Sequence, residues 1–570
     1  MTSPDEPSLH KVKSAPDLDA NDRLYKLQYH DSDIFEWDEN SSRDYNSVED
    51  DVNALSLSTG QKSSFVGISS VAAAIRALTR VLPTHFNEQK PMNLKSSPSV
   101  FETPLADMPL LNFNRIASYR DEQRLIDAYF ATIHVFAPII HEPSFRNKYL
   151  TSHDCQDRSW LALLNMVLAL GSVASSPGDS DEDCRFYHLA QQCLSLESFG
   201  NGRLETLQAL VLMGGQYLHF RNRPNTASAI IGACYRIASG LGLHLKLPED
   251  FHGHFNLPEE IKRRNWWTIY VLDTWGSVTL GRPSVAVGAM IDLPSNILDD
   301  QRGELSPSEP TIHSPLIHNI HLCKIINRIQ DRLLVSSILS HDELQFYDKM
   351  LVSWFETLPS FLKSSGASAL DLQDARLVLK WRYQNIRFLL HRPLLLDTVI
   401  RKTPFFCLSS NEKAIVSRCR EIAAESISSI QTEWRPNKIC CWNAIWFIFQ
   451  ACLIPLMALA VESTEHTQYR SWCHQVEVAI TVCDEMSRFS PVGQRTKIFL
   501  QKLYFAVAED AMQTSMSFGA TEAPPSLDTI MGIFAGDWES SNGGFFPQLN
   551  PSCISDMDDQ FLLAQYQSYS

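Results

Sequence analysis

Arg263-Arg264-Asn265-Trp266-Trp267-Thr268-Ile269-Tyr270-Val271-Leu272-Asp273, running on to Leu280-Gly281-Arg282-Pro283, reads as one amphipathic helix with a basic start and a Gly-Arg-Pro stop. Trp266, Tyr270 and Asp273 recur at helical spacing, and Trp267 with Val271 adds a second apolar row beside them. Gly281 can take the left-handed conformation that ends a helix, and Pro283 cannot continue one. On the residues alone this is a core helix whose aromatics pack against neighbours. Its Arg282 is placed to pair with a carboxylate or to cap carbonyls.

The same period returns along the chain. It predicts helices over 121–133, 159–174, 182–198, 203–220, 225–241, 258–279, 314–335, 341–357, 371–390, 412–432, 440–462, 467–488 and 494–515. A shorter helix is expected within 64–82, where Ile68, Val71, Ala74, Ile75, Leu78 and Val81 share a face and Pro83 ends the run. Two-residue alternation is almost absent, so the fold class is all-α: a large multi-helical body with disordered acidic tails at both ends. The expected organisation is an acidic unfolded linker over 1–63, a short helix and Pro/Ser-rich linker over 64–120, the helical body over 121–520, and an acidic-aromatic tail over 521–570.

Composition narrows the class. A 570-residue chain with 44% apolar residues has material for an extensive core. Thirteen cysteines without regular spacing point to free thiols in a reducing compartment. Residues 1–20 lack the apolar run of a signal peptide. The most apolar stretches, 160–174 and 442–460, read as buried helices rather than membrane spans, the second being punctuated by Gln450, Cys452 and Pro455. The net charge of −16 argues against this chain gripping nucleic acid unaided, because duplex affinity comes largely from Lys and Arg on phosphates. Residues 1–60 carry fourteen Asp or Glu against five Lys or Arg, and no Lys or Arg follows Lys502.

The basic start, Trp-Trp pair, Leu-Asp step and Leu-Gly-Arg-Pro close resemble a signature of the helical regulatory domain of fungal zinc-cluster transcription factors. Tyr129-Phe130, His134 and Pro138-Ile139-Ile140-His141-Glu142-Pro143-Ser144-Phe145 resemble that family's opening segment. Residues 204–220 and 227–245 resemble its paired helices, and Leu389-Leu390-His391-Arg392-Pro393 a downstream Leu-His-Arg-Pro element. Phe35-Glu36-Trp37-Asp38-Glu39 and Phe65-Val66-Gly67-Ile68-Ser69-Ser70 resemble the linker of the xylanolytic-activator branch. The chain departs from the pattern at Thr274, where Arg is common, and at an abbreviated Ile291-Asp292-Leu293-Pro294 loop. The resemblance implies structural or regulatory roles for Pro138, His141, Pro143, Phe145, Arg263, Arg264, Trp266, Trp267, Tyr270, Asp273, Gly281, Arg282, Pro283, His391, Arg392 and Pro393. It further implies nuclear residence, control of a metabolic gene set, and promoter DNA and coactivators as partners.

That family grips DNA through six cysteines in two Cys-x2-Cys-x6-Cys halves. Here the first cysteine is Cys155, no Cys-x2-Cys occurs, and the adjacent Cys440-Cys441 suits one tetrahedral zinc poorly. Cys193, Cys234 and Cys452 sit among apolar residues and read as small hydrophobes. No cofactor is therefore expected in this chain. Three routes to DNA remain: a zinc cluster encoded upstream of Met1, docking of a clusterless regulator on a DNA-bound partner, or service as a helical adaptor or inhibitor of such a partner. The Phe35–Glu39 linker favours the first, since in the resembling branch it lies downstream of the cluster.

In the tail, Phe534, Trp538, Phe561, Leu562 and Leu563 stand among Asp556, Asp558 and Asp559, the pattern of a candidate activation segment. The alternative is a tail that folds back and packs Phe534 and Trp538 on the body. An enzyme is not expected. Asp299-Asp300 with Glu304 is the nearest approach to the carboxylate cluster of an all-α terpene cyclase, and no partner cluster stands on a second helix. His141-Glu142 is followed by Pro143 and lacks the second His of a zinc protease, and neither a phosphate-binding loop nor a Gly-x-Ser-x-Gly elbow occurs.

Overall fold

The computed structural model describes residues 15–28, 64–82, 118–151, 155–175, 181–246, 257–285, 291–296, 309–364 and 371–518, and among these there is helix and no strand. The chain enters with α1 (Ala15–Gln28) and α2 (Val71–Val81). Next come α3 (Tyr119–Ala128), α4 (Glu142–Thr151), α5 (Arg158–Ser175), α6 (Glu182–Cys193), the short α7 (Leu196–Gly200), α8 (Leu204–Leu212), α9 (Leu218–Phe220) and α10 (Pro224–Gly240). The longest helix of this half is α11 (Leu257–Leu280), followed by α12 (Ser314–Val335), α13 (His341–Thr357) and α14 (Ser360–Lys363). Finally come α15 (Gln373–Ile400), α16 (Ser410–Glu433), α17 (Lys438–Leu459), α18 (Tyr469–Ser487) and α19 (Val492–Phe518). Wider π turns at Tyr129–Ile133 and Met213–Tyr217 extend α3 and link α8 to α9.

Local chemistry fixes many boundaries. Ser340 and Ser409 open α13 and α16 as reciprocal capping boxes with Glu343 and Glu412. Ser70 caps α2 and Asn437 caps α17. Pro224 occupies the first turn of α10, where a missing N–H costs nothing. α11 ends at Gly281 with φ +67°, and the Arg282 N–H returns to the Ser277 carbonyl at 2.9 Å, the six-to-one bond of a Schellman close.

Two large apolar clusters make most of the core, beside a small one of Val135, Leu372 and Ala375. One gathers α3 to α6, α8, α10, the Trp266–Val271 part of α11 and the start of α12. The other gathers α1, α2, the Val278–Leu280 end of α11, the rest of α12, and α13 and α15 to α19. α11 and α12 thus run through both clusters and join them. The two most apolar helices, Arg158–Ser175 and Lys438–Leu459, are long enough to cross a membrane but lie largely buried inside these clusters.

Three local expectations need correction. Residues 15–28 fall in the stretch whose acidity predicts an unfolded linker, yet they form α1. Leu24 and Leu27 are fully buried, and Arg23 donates to Asp397 of α15 at 2.6 Å. Two leucines are too few to show against that background, and only the tertiary partner makes them count. α4 appears between 133 and 159, where no helix is predicted. α15 runs through Pro393 to Ile400 rather than ending at 390. Phe35–Glu39, Asp299-Asp300 with Glu304, and the tail residues Phe534 to Leu563 lie outside the described residues.

Candidate functional site

At its amino end, α11 holds a fully buried ion pair. Arg264 Nε donates to Glu260 Oε1 at 2.9 Å, one turn back, and the Ser295 N–H donates to Glu260 Oε2 at 3.1 Å. Arg263 approaches the same carboxylate at 3.4 Å from the half-buried side. Burial pushes the Glu260 carboxyl up despite these donors. The next residue reaches the opening segment: Asn265 Nδ2 and Gln208 Nε2 both donate to the Ile139 carbonyl, at 3.0 and 2.6 Å. Pro138 leads into that tethered turn. His141 Nδ1 lies 2.7 Å from the Ser144 hydroxyl at the start of α4, Pro143 is exposed in its first turn, and Phe145 packs its ring on Phe130 and Trp160.

The aromatic rows face two ways. Trp266 packs on Tyr235 and His244, at centroid distances of 4.8 and 5.6 Å. Trp267 meets Tyr270 edge-on at 5.3 Å, donates its indole N–H to the Asp292 carbonyl, and lies beneath the Lys324 ammonium. Tyr270 accepts from Asn327 of α12 at 3.1 Å. Asp273 receives the Ser284 hydroxyl at 2.6 Å and the Val285 N–H at 2.9 Å, pinning the chain after the Gly-Arg-Pro stop.

At its carboxyl end, α11 meets residues 64–82, and here motifs far apart in sequence converge. The Gly67 N–H donates to the Leu280 carbonyl at 2.9 Å, and the backbones touch so closely that a Cβ on Gly67 would stand 2.0 Å from the Gly281 oxygen. Arg282 Nε donates to the Phe65 carbonyl at 2.9 Å, and its Nη2 donates to Asn225 of α10 at 2.7 Å. Ser69 donates to the Val278 carbonyl, and Gln330 of α12 donates to the Arg282 carbonyl. The Pro283 carbonyl lies 3.4 Å from the Ser277 hydroxyl. From the other side, fully buried Arg392 of α15 donates Nη2 to the Ile68 and Ser70 carbonyls, at 3.1 and 2.8 Å. Burial without a carboxylate lowers this guanidinium to about 10. His391, one residue earlier, bonds back to the Arg387 carbonyl, and Arg387 forks onto Asp348 of α13.

The predicted residues therefore form two groups along α11 rather than one pocket. Pro138 to Phe145 join its amino half, while Gly281, Arg282 and, from α15, Arg392 join residues 64–82 at its carboxyl end. Sequence reasoning missed Gln208, Asn225, Gly67 and Gln330 as partners. Of these, Gly67 lies inside the Phe65–Ser70 run and Gln208 inside 204–220, while Asn225 and Gln330 carried no signal.

The described cysteines do not suit a zinc cluster. None joins a group of three His, Cys, Asp or Glu side chains able to hold a metal. Burial pushes the Cys440 and Cys441 thiols up to about 12, and Cys419 donates to the Phe388 carbonyl as a thiol would.

Comparison with known proteins finds a partial family match and distant relatives. Residues 126–364 match the model described as the fungal specific transcription factor domain. The chain is 26% identical over 399 residues to the lactose regulatory protein LAC9 of Kluyveromyces lactis, covering 67% of this chain and 43% of that protein. It is 24% identical over 391 residues to the transcriptional activator protein acu-15 of Neurospora crassa, covering 64% and 41%. Against the acetamidase regulatory protein of Aspergillus fumigatus the identity is 27% over 284 residues, covering 47% and 34%. The chain thus spans less than half the length of these curated relatives. Among solved structures, the K. lactis CBF3 core aligns with a TM-score of 0.40 at 11% identity, over 81% of this chain and 97% of that chain.

Proposed function

We propose that this chain is the regulatory body of a nuclear transcription regulator that controls a metabolic gene set, a reading supported by the match of residues 126–364 to the fungal specific transcription factor domain. The lactose and acetamidase regulators among its relatives support the metabolic reading. One observation carries the mechanical part: residues 64–82 are held between α11, α12 and α15 by Arg282, Ser69, Arg392 and the Gly67–Gly281 contact. On this reading residues 64–82 anchor to the helical body the chain that leads back to a module attached ahead of residue 64.

DNA contact on this reading comes from a zinc-cluster module outside these residues, or from a DNA-bound partner. The net charge of −16 and the absence of any Cys-x2-Cys from the 570 residues support it. The acidic-aromatic run from Phe534 to Leu563 meets coactivators. The test is titration of a CGG-containing duplex with the purified 570-residue chain, read beside its zinc content. The expected result is no zinc and no specific binding; zinc-free, sequence-specific binding would overturn the assignment of DNA contact to another module. Fusing residues 521–570 to an unrelated DNA-binding domain tests the tail, and a silent reporter removes it as an activation segment.

A further inference from the structure

The amino-terminal helix α1 lies in a groove formed by α2, α15 and the turn between α12 and α13. Along residues 20–28 it buries one face, Ala20, Leu24 and Leu27, at helical spacing, and exposes Asp22, Tyr25 and Lys26. Asn21 Oδ1 accepts the Ile338 N–H and the Ser336 hydroxyl, both at 3.3 Å, and Gln28 donates to the Ser337 hydroxyl at 3.0 Å. At the carboxyl end of α1 the wall supplied by α2 presents two guanidiniums. Arg76 Nη1 donates to the Leu27 carbonyl at 2.8 Å, and Arg80 Nη2 to the Lys26 carbonyl at 2.6 Å. The last carbonyls of a helix have no partner within it and carry the negative end of its dipole, so a pair of cations at that spot is suited to receive a helix end.

The polar groups that α1 meets keep other partners or reach water when it leaves. Asp397, which takes Arg23, also holds Arg401 at 2.8 Å. The Ser336 hydroxyl also donates to the Ile338 carbonyl at 2.7 Å. Arg76 is half-buried and Arg80 exposed, so neither cation is stranded. Residues 64–82 differ. Fully buried Arg392 donates to the Ile68 and Ser70 carbonyls, and their departure would leave that charge without acceptors in the core. α2 is thus a fixed wall of the groove and α1 a removable occupant. Burying two leucines and an alanine leaves little surplus over the cost of ordering fourteen residues, and a helix this short does not persist alone.

We propose that the groove between α2, α15 and the α12–α13 turn is a docking site for a short amphipathic helix with leucines three apart, and that α1 is its built-in, releasable occupant. Leu24 and Leu27 fill the apolar floor, and Arg76 with Arg80 reads the helix end. An external helix of the same chemistry binds by displacing α1. The site is independent of how the chain reaches DNA.

The test titrates a labelled peptide copying residues 15–28 into the full 570-residue chain, and into the full chain carrying Leu24→Ser and Leu27→Ser, which empties the groove without touching its walls. The emptied chain should bind the peptide saturably in fluorescence anisotropy. The parent should bind it about tenfold or more weakly, because its own tethered α1 competes at high effective concentration. Adding Arg76→Glu and Arg80→Glu to the emptied chain should cost about tenfold in affinity, since the new carboxylates repel the helix-end carbonyls. No binding to the emptied chain, equal binding to the parent, or indifference to the two glutamates would each overturn the groove. Hydrogen exchange on the parent gives a readout that needs no variant. The amides of residues 20–28 should exchange about tenfold or more faster than those of Ala73 to Val81, and equal protection would make α1 a fixed part of the core.

Discussion

Gly281 and Gly67 are the residues for which no side chain has room. Gly281 sits at φ +67°, and a Cβ there would stand 2.5 Å from the Gly67 Cα. Gly281→Ala should therefore combine left-handed strain with backbone overpacking, a loss of about 2–4 kcal/mol in urea unfolding. The control lies five residues earlier: a Cβ at Gly276, inside α11, meets nothing within 4 Å. Gly276→Ala should stabilise by about 0.5–1 kcal/mol, so equal effects at the two glycines would refute the close-contact argument. Trp267→Ala removes a buried ring together with its bond to the Asp292 carbonyl, and should cost about 3–5 kcal/mol. If it left unfolding unchanged while altering gene activation, the ring would be a partner or ligand surface. Much of this chemistry was legible in sequence, because adjacent tryptophans that begin two helical rows and a Gly-Arg-Pro stop declare themselves locally. Their partners were not. Nothing near Arg392 says that its donors end on the carbonyls of Ile68 and Ser70, more than three hundred residues away.

At the level of elements, α2 shows why composition misplaces a segment. Eight of its eleven residues are buried, four of them alanines that let neighbouring helices come close. Its shared apolar face predicts a short helix, but a run this short between acidic and Pro/Ser-rich stretches does not show how deeply it is buried, and only its neighbours α15 and α17 reveal it as core. Its amides should exchange with deuterium no faster than those of α17, and rapid exchange over Ala73 to Val81 would place it outside the cooperative core. α15 was cut short for a related reason. A proline ends a helix unless packing outweighs the bond it removes, and around Pro393 Arg392, Leu395 and Leu396 are buried. Long periodic helices such as α11, α12 and α13 were legible almost to the residue. Elements whose existence depends on distant packing, namely α1, α4 and the last turns of α15, were not.

The whole molecule carries its net charge of −16 together with two partly buried histidines whose desolvation favours the neutral form. Burial lowers His219 and His318 to about 4 from an ordinary 6.5. Between those values the unfolded chain binds protons at both positions and the folded chain does not, so unfolding takes up protons. Their stabilising contribution is complete above about pH 6.5 and is lost as the pH falls toward 4. The half-buried carboxylates of Asp348 and Glu433 act in the same direction at lower pH. Each loses some ionisation to desolvation, but Arg387 holds Asp348 below the usual carboxylate range, and Lys380 with Arg376 does the same for Glu433. Denaturant titrations of the full chain at a series of pH values should therefore show stability falling from pH 7 to pH 5, before most carboxylates titrate. Replacing His219 and His318 together with Gln should flatten the upper part of that fall while leaving the steeper loss at lower pH. An unchanged slope between pH 7 and pH 5 in that double variant would mean that the acid sensitivity of the body belongs to its carboxylate pairs rather than to its buried histidines.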